Sequence, residues 1–356
     1  MTDWDAIPYT PELADKVVAL HQRIWPGAEI GDEAYHRWQY QDNPAGPALA
    51  ALAADRAAGE LIGQFGALPV RMWVDGEERL AALALNVATD PAARGRGVFT
   101  ALGRAADGLM AQAGAGLAWA LPNENSFPGF IRHLGYSHAG DVPLLARPVN
   151  VRRLIRRRVP LPGLDRVASV LARPFVAPLP STARPVDGVA VRAVERFDEA
   201  FNTLWERVRG RQRVMVVRDA RYLDWRFRRI PLREYHSLLA TVDGEPAGYI
   251  VLRIAEIAEM EAGLVADFVV APAPAGERAG RALLLEALAW FAGHDLDLLA
   301  SLMLPHAPEY RLLRRAGFFA LPKALLPQRC RGVARDGETF RDLRNWFLTM
   351  GDYDVV

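Results

Sequence analysis

The sequence has one cysteine, two lysines and almost no net charge. The single cysteine, Cys330, excludes an intramolecular disulfide and a zinc site built on several cysteines. Lys16 and Lys323 are the only lysines among 43 basic residues, which 42 acidic residues balance to a net charge of +1. Because there is no global positive field, the composition disfavours non-specific binding to nucleic acid or to an anionic membrane.

The sequence also lacks a long apolar run and a basic N-terminus. A membrane helix needs about 18 or more apolar residues, and the apolar stretch at 167–171 is soon stopped by Arg173 and Pro174. The first residues are acidic, whereas a signal peptide begins with a basic region. We therefore expect a soluble, cytoplasmic protein, and 356 residues predict about two domains.

One set of five cues occurs twice in the same order. Each copy has a Tyr-x-x-Trp segment, a Gly-Glu turn, an apolar strand that ends in proline, a glycine that opens an Ala/Leu-rich helix, and a final Gly-aromatic pair. The cue residues are Trp38 and Trp225, Gly59 and Gly244, Pro91 and Pro272, Gly97 and Gly280, and Gly135 and Gly317. Their nearly constant separation predicts two copies of one α/β domain, at 1–146 and 189–356. We interpret the two Trp residues as core packing.

A Pro- and Arg-rich linker at 147–188 joins the predicted domains. Its arginine run at 151–158 is compatible with an RNA or membrane patch, or with a solvated helix bounded by Pro148 and Pro160. No aromatic residue is interleaved for base stacking, which favours the solvated helix.

The sharpest local signal follows the apolar strand that leads to Pro91. Gly95 and Gly97 allow the backbone to come close to a ligand, and apolar residues at three- and four-residue steps from Val98 to Leu109 predict a helix. The bare N–H groups at a helix N-terminus bind phosphate. The spacing is not a dinucleotide fingerprint, because Gly-x-Gly-x-x-Gly fails at Thr100, and no Gly-Lys-Ser/Thr follows as in a Walker P-loop.

This turn resembles motif A of the GNAT superfamily of acyl-CoA-dependent N-acyltransferases, written Arg/Gln-x-x-Gly-x-Gly/Ala. Arg94 and Gly97 match, whereas Phe99 departs from the small residue at the third position. The segment from Phe130 to Tyr136 resembles motif B, in which a helix ends in Leu-Gly-Phe/Tyr. The resemblance covers both halves and implies two tandem GNAT-like α/β domains, each a mixed, mostly antiparallel sheet flanked by helices.

The resemblance also implies a reaction. An acyl group, acetyl from acetyl-CoA in the first instance, would pass through a tetrahedral intermediate directly to an amine of a small metabolite, such as an amino sugar or a natural-product intermediate. A membrane or nucleic-acid partner is not expected, and a homodimer stays open. The residues implied to hold the cofactor are Val87, Ala88, Thr89, Arg94, Gly95, Arg96, Gly97, Val98, Phe99, Thr100 and Asn125. In the second copy Glu277 stands in place of Arg94, so we predict that the N-terminal half binds acyl-CoA.

Catalytic side chains are harder to assign. The tyrosine that serves as general acid in many GNAT enzymes is replaced by Ile131 and Leu313 in the two copies. Tyr136, Glu124 and, as a base on the second incoming strand, Asp267 are the candidates, each with a structural role as the alternative. A thiolate can leave without an acid, because the pKa of a thiol is about 8.5. The seven histidines show no metal-ligand spacing, so no metal is predicted.

Two other functions stay open at this stage. An aminoacyl-tRNA-dependent transferase of the Fem type also has two GNAT-like halves and would use the arginine run of the linker. A non-catalytic acyl-CoA-binding scaffold would explain why Ile131 and Leu313 stand in the acid positions.

Overall fold

The computed structural model describes residues 3–158, 178–322 and 330–353. The described strands are β1 Trp4–Pro8, β2 Ala51–Asp55, β3 Leu61–Val74, β4 Glu77–Thr89, β5 Leu117–Ala120, β6 Ser137–Asp141, β7 Leu144–Pro148, β8 Val189–Ala193, β9 Val214–Val216, β10 His236–Val242, β11 Glu245–Ile257, β12 Met260–Val270, β13 Leu298–Leu302, β14 Phe319–Ala320 and β15 Arg331–Arg335. The described α-helices are α1 Ala14–Ile24, α2 Glu33–Tyr40, α3 Val98–Gln112, α4 Phe127–His133, α5 Val151–Arg158, α6 Glu199–Val208, α7 Ala220–Phe227, α8 Ala275–Ala292 and α9 Pro308–Arg315.

The chain forms two compact units, which we call unit 1 and unit 2. Unit 1 contains Met1–Asp141, Gln212–Arg233 and Gln328–Trp346, and unit 2 contains Val142–Arg211, Glu234–Pro327 and Phe347–Val356. The boundaries expected at 146 and 188 therefore differ from the edges of these units. The two sequence copies are continuous, whereas each unit takes segments from both.

Unit 1 is built on an eight-stranded sheet. The strand order is β1-β2-β3-β4-β5-β15-β6, and β9 pairs with β3 beside this path. β4 and β5 run parallel, whereas the other neighbours run antiparallel. The seven-stranded sheet of unit 2 has the order β14-β7-β13-β12-β11-β10-β8, with β12 and β13 as its parallel pair. The expected fold class, a mixed and mostly antiparallel sheet in each half, is confirmed.

Each sheet contains an interior strand from the other half of the sequence, and the sheet of unit 1 also takes β9 from that half. β15, near the C-terminus, lies between β5 and β6 in unit 1. β7, from the N-terminal half, lies between β13 and β14 in unit 2. The two halves of the sequence thus exchange the equivalent strand, and neither sheet is continuous without the other half.

Helices cover both faces of the sheet of unit 1. Successive side chains along a strand point to opposite faces, so neighbouring residues pack in different cores. Ala51 and Ala53 of β2 pack in a core that includes Val98 and Leu102 of α3. Leu52 between them packs in a second core, with Leu20 of α1 and Tyr40 of α2. The face under α3 and α4 is thereby separated from the face under α1 and α2.

The repeated Tyr-x-x-Trp segments meet inside unit 1. The indole rings of Trp38 on α2 and Trp225 on α7 stack with centroids 4.8 Å apart. Each indole N–H donates to the main-chain oxygen of the other tryptophan, at 2.8 and 3.1 Å. Both side chains are buried, so the interpretation of these residues as core packing is confirmed.

Two further expectations have mixed outcomes. The arginine run forms helix α5, as expected, whereas the linker residues 159–177 lie outside the described residues. Gly280 does not open a helix: α8 begins at Ala275, and Gly280 lies buried in its second turn. A Cβ atom on Gly280 would come within 2.5 Å of Leu312, so close packing with α9 explains this glycine.

In the described part of the chain, no helix is both long and apolar enough to cross a bilayer.

Candidate functional site

The end of β4 separates from β5 in unit 1. Parallel pairing between the two strands ends at Leu83 and Trp119, although β4 continues to Thr89. Asn86 and Val87 stand opposite one residue of β3, which makes a bulge, and Asn86 has a left-handed backbone with φ of 50°. The main chain of Val87, Ala88 and Thr89 therefore turns away from the neighbouring strand, as a ligand placed between β4 and β5 would require.

The turn from Asp90 to Gly97 joins β4 to α3 and is open on its outer side. Gly95 and Gly97 have φ of 78° and 75°, and a Cβ atom on either would meet no atom of the described residues within 4 Å. No side chain of the described residues caps α3, so the first-turn N–H groups, from Val98 to Thr100, point toward this turn. Such an arrangement of left-handed glycines and uncapped N–H groups is a typical anion site.

Charged side chains fix the base of this turn. The Asp90 carboxylate accepts from Ala92 N–H at 3.0 Å and from Arg23 Nε at 2.8 Å. The Arg23 guanidinium is the main reason why the pKa of Asp90 lies below its usual value. Arg96 pairs with Asp3, whereas Arg94 is exposed and forms no ion pair with another described residue. Arg94 is thus the basic side chain of the turn that remains available to an anion.

Phe99 has a packing role that the sequence did not show. Its ring lies edge-on to Phe65 and Phe130, at centroid distances of 6.1 and 5.8 Å. A Cβ atom on Gly129 of α4 would come within 2.6 Å of the Phe99 ring. The large residue at the small position of motif A is therefore accommodated by a glycine on the facing helix.

The corresponding turn of unit 2 is short and closed. It runs only from Ala271 to Pro274 before α8 begins, and it contains no left-handed glycine. A Cβ atom on Gly276 would lie 1.7 Å from the Ala271 oxygen, so the helix start packs directly on the strand end. Glu277, expected in the turn, lies instead on the first turn of α8.

Two charged side chains also fill the strand end of unit 2. Pairing of β12 with β13 ends at Val265 and Ser301, although β12 continues to Val270. The buried Glu309 carboxylate accepts from Val270 N–H at 2.8 Å and from Arg211 at 2.7 Å. Arg211 in turn donates to the Val270 oxygen. In unit 1 the equivalent position on α4 is Phe127, which cannot occupy main-chain groups in this way.

A buried polar network lies under the bulge of unit 1, on the face of α1 and α2. The Asn86 amide donates to Gln39 Oε1 at 2.7 Å and to Tyr40 Oη at 3.1 Å. The Gln64 amide donates to Tyr40 Oη at 2.5 Å and to the Asn86 oxygen at 3.1 Å. Gln39, Tyr40 and Gln64 are buried, so these bonds fix the left-handed residue from the inside.

Two buried histidines adjoin this network. The ring of His36 stacks on Tyr40, and its Nε2 lies 3.1 Å from Tyr9 Oη. His21 Nδ1 lies 3.2 Å from the Ile30 oxygen. Burial lowers the pKa of each imidazole to about 4, so both are neutral at pH 7.

Of the predicted catalytic residues, Tyr136 lies in the core. It is 3% exposed, lies edge-on to Phe130, and faces Arg335 at 5.3 Å. Arg335 pairs with Asp107, which lies in the third turn of α3, about 14 Å along the axis from Val98. Burial raises the pKa of Tyr136. These surroundings favour the structural alternative for Tyr136.

Glu124 and Asn125 lie on the exposed loop before α4. Glu124 forms an ion pair of 2.5 Å with Arg331 of β15, whose guanidinium lies over the Phe127 ring. Asn123 accepts from Asn125 N–H at 3.0 Å, and the Asn125 side chain is exposed. Glu124 is therefore engaged in an ion pair with a residue of β15.

Asp267 is a satisfied polar residue of unit 2. It is 1% exposed, accepts from Tyr249 Oη at 2.7 Å and accepts from Phe268 N–H at 3.0 Å. These bonds occupy both carboxylate oxygens and favour the structural alternative here too. Within the described ranges, no group of three His, Cys, Asp or Glu side chains could hold a metal ion.

Comparison with family models identifies both halves. Residues 5–139 match the model described as an acetyltransferase (GNAT) domain, and residues 197–318 match the acetyltransferase (GNAT) family. Together the two matches cover more than half of the chain. The chain is a tandem member of the GNAT N-acyltransferase family. Among curated proteins, no match to it was found.

Solved structures share this tandem GNAT fold at low sequence identity. A probable N-acyltransferase from Enterococcus faecalis has 14% identity and a TM-score of 0.63, with 94% of this chain and 73% of that chain covered. A GCN5-related N-acetyltransferase from Anabaena variabilis has 14% identity, a TM-score of 0.63, and coverages of 93% and 72%. The N-myristoyltransferase of Saccharomyces cerevisiae, solved with bound myristoyl-CoA, has 12% identity, a TM-score of 0.64, and coverages of 96% and 83%.

The GNAT motif thus predicted the open turn, whereas sequence reasoning missed the groups that differ between the units. Asn86 is a polar residue on an apolar strand, but its partners Tyr40 and Gln64 occupy ordinary helix and strand positions. Glu309 and Arg211 are far apart in sequence, and only the fold brings them to Val270. No local signal in the sequence could have found that pair.

Proposed function

We propose that this GNAT protein transfers a short acyl group, acetyl in the first instance, from acyl-CoA bound in unit 1 to an amine of a small metabolite. One observation carries the proposal: unit 1 has an open, uncapped turn beside a separated strand end, whereas unit 2 has both features closed. An anionic, extended cofactor fits only the first arrangement.

The turn and the strand end of unit 1 would each hold a different part of the cofactor. The N–H groups of Val98, Phe99 and Thr100, with Gly95 and Gly97, would hold the pyrophosphate. Arg94 supplies the unpaired positive charge at this turn, and Arg96 would contribute through its main chain. The main chain of Val87, Ala88 and Thr89 would pair with the pantetheine arm.

The chemistry needs few side chains from this protein. When bound, an acyl-CoA supplies an activated thioester with a good leaving group. The protein positions that thioester beside the acceptor and excludes water, and main-chain N–H groups can stabilise negative charge on the acyl oxygen. An amine must first lose a proton, because its pKa is near 10. A low-molecular-weight amine is favoured as acceptor, because the net charge of +1 offers no field for nucleic acid.

The first test is calorimetric titration of acetyl-CoA and free CoA into wild type, Arg94→Glu and Arg104→Glu. Arg104 is an exposed arginine on the same helix α3, so its replacement is a matched charge reversal away from the turn. We expect binding to wild type and Arg104→Glu, and at least tenfold weaker binding to Arg94→Glu. If wild type binds neither ligand, the proposal fails. If both variants lose affinity equally, the turn is not the site.

Turnover separates an enzyme from a scaffold. Tyr136, Glu124 and Asp267 each have a structural partner, and this favours one alternative, a protein that binds acyl-CoA without transferring it. Release of free thiol from acetyl-CoA across a panel of amino sugars and other small amines would support transfer. Binding without release across the panel would support the scaffold.

A further inference from the structure

Unit 2 contains a groove that the proposed acyl-CoA site does not use. It has a volume of about 800 Å³ and lies between α8, α9 and the strand β7. This volume falls within the range of small-molecule sites, about 300–1,000 Å³. The groove lies along the side of α8, whereas the closed turn from Ala271 to Pro274 precedes the first residue of that helix.

The floor of this groove is apolar. Leu284, Leu285 and Leu288 follow one another along α8, and Leu312 faces them from α9. Pro148 and Pro180 also line the groove and carry no N–H donor. Such a lining offers dispersion contacts to a hydrocarbon chain and few hydrogen-bond partners to a peptide backbone.

Positive charge surrounds the floor. Arg281 of α8 and Arg315 of α9 are exposed, line the groove, and form no ion pair with another residue in the ranges that the structure describes. Arg147 is 7% exposed, donates to the Ala316 oxygen, and has a pKa lowered by burial. Because burial weakens the solvation of a guanidinium, an anion bound nearby would stabilise its charge. Glu277 is the one carboxylate among the described lining residues.

The charged and apolar parts follow each other along one helix. Arg281 lies about 10 Å along the α8 axis from Leu288, with Leu284 and Leu285 between them. We propose that this groove binds an anionic amphiphile, a fatty carboxylate, with its head group at Arg281 and Arg315 and its alkyl chain along the leucines of α8. This ligand is distinct from the acyl-CoA proposed for unit 1, and the two proposals stand on different residues.

The test is calorimetric titration of the full-length protein with dodecanoate below its micelle concentration. Dodecyltrimethylammonium, with the same chain and the opposite charge, is the control ligand. The double variant Arg281→Glu/Arg315→Glu reverses the head-group charges, and Leu285→Gln makes the floor polar. Arg311→Glu reverses an exposed arginine of α9 that does not line the groove.

We expect wild type and Arg311→Glu to bind dodecanoate with equal affinity and the double variant to bind at least tenfold more weakly. Leu285→Gln should weaken the binding of dodecanoate, and its melting temperature should stay within a few degrees of that of wild type. Equal affinity for the cationic amphiphile, equal loss in Arg311→Glu, or no binding to wild type would overturn the proposal. Acetyl-CoA titration of the double variant keeps the two sites distinguishable, because its affinity for acetyl-CoA should equal that of wild type.

Discussion

Asn86 has a left-handed backbone within a strand, and the side chains of α2 and β3 keep it there. An asparagine tolerates this conformation better than most residues, but it still needs support. Tyr40 is the centre of that support, because its hydroxyl oxygen accepts from both Asn86 and Gln64. Unit 2 has a comparable pair, in which Tyr249 donates to Asp267 on β12.

Tyr40→Phe should therefore weaken acyl-CoA binding. The change keeps the ring and removes the hydroxyl that anchors the bulge, and one or two lost hydrogen bonds correspond to about five- to tenfold in affinity. Tyr249→Phe is the matched control: it should lower the free energy of unfolding by a similar amount, about 1–2 kcal/mol, and leave acetyl-CoA affinity unchanged. Calorimetry with chemical denaturation measures both quantities. Equal affinity losses in the two variants would contradict a positioning role for Tyr40.

The buried histidines predict a loss of stability in acid. The folded-state pKa of His21 and His36 is about 4, below the unfolded value near 6.5, so protonation favours the unfolded chain. The fold keeps its full stability from these groups above pH 6.5 and loses it as the pH falls toward 4. At pH 5 the expected loss is about 2 kcal/mol for each histidine.

Chemical denaturation at pH 7.5 and pH 5 checks this expectation. Carboxylates also titrate in acid, so the comparison is with the double variant His21→Asn/His36→Gln. If its free energy of unfolding falls between the two pH values as steeply as that of wild type, the histidines are not the cause.

At the scale of elements, the packing of α3 against α4 depends on one glycine. Gly129 faces the ring of Phe99, and a Cβ atom there would come within 2.6 Å of it. Gly129→Ala should therefore cost about 1–3 kcal/mol of stability by overpacking. Phe99→Leu in the same chain should recover part of this cost, because the smaller side chain leaves room. A double-mutant cycle by denaturation measures the coupling, and additive effects would refute the contact.

The helix starts show what sequence patterns could and could not predict. Gly97 precedes α3 as expected, because a left-handed glycine next to an apolar periodic segment marks a boundary. Gly280 gave the same signal, yet it lies inside α8, where it allows close packing. In sequence, a glycine needed for close packing cannot be told from a glycine that begins a helix. The turn at Asp90 to Gly97 was therefore predictable from local pattern. The ion pair of Glu309 and Arg211 at the end of β12 was not predictable, because only the fold brings these two side chains together.

At the scale of the molecule, the exchanged strands tie the two sequence copies together. The duplication was readable from repeated cues, but an exchange of β7 and β15 leaves those cues in the same order. Strand registers and partners of this kind depend on contacts distant in sequence. Cutting the chain between the copies therefore removes β9 and β15 from the sheet of unit 1 and β7 from the sheet of unit 2.

Fragments 1–188 and 189–356 should each fail to fold alone. In the first, β5 and β6 lose the strand between them, and in the second, β13 and β14 lose theirs. Thermal melts followed by circular dichroism should show no cooperative transition for either fragment, and co-expression of the two should restore one. A cooperative transition and wild-type acetyl-CoA affinity in fragment 1–188 would disprove the dependence.

The exchanged strand β15 also has a consequence for synthesis on the ribosome. Residues 1–141 leave the exit tunnel before β15, the strand that joins β5 to β6, because residues 142–330 are translated in between. At about 5–20 residues per second, the nascent sheet waits roughly 10–40 s for that strand. The sheet that is begun first is thus completed only after the strands of unit 2 have been made, and during this interval the edges of β5 and β6 stay unpaired.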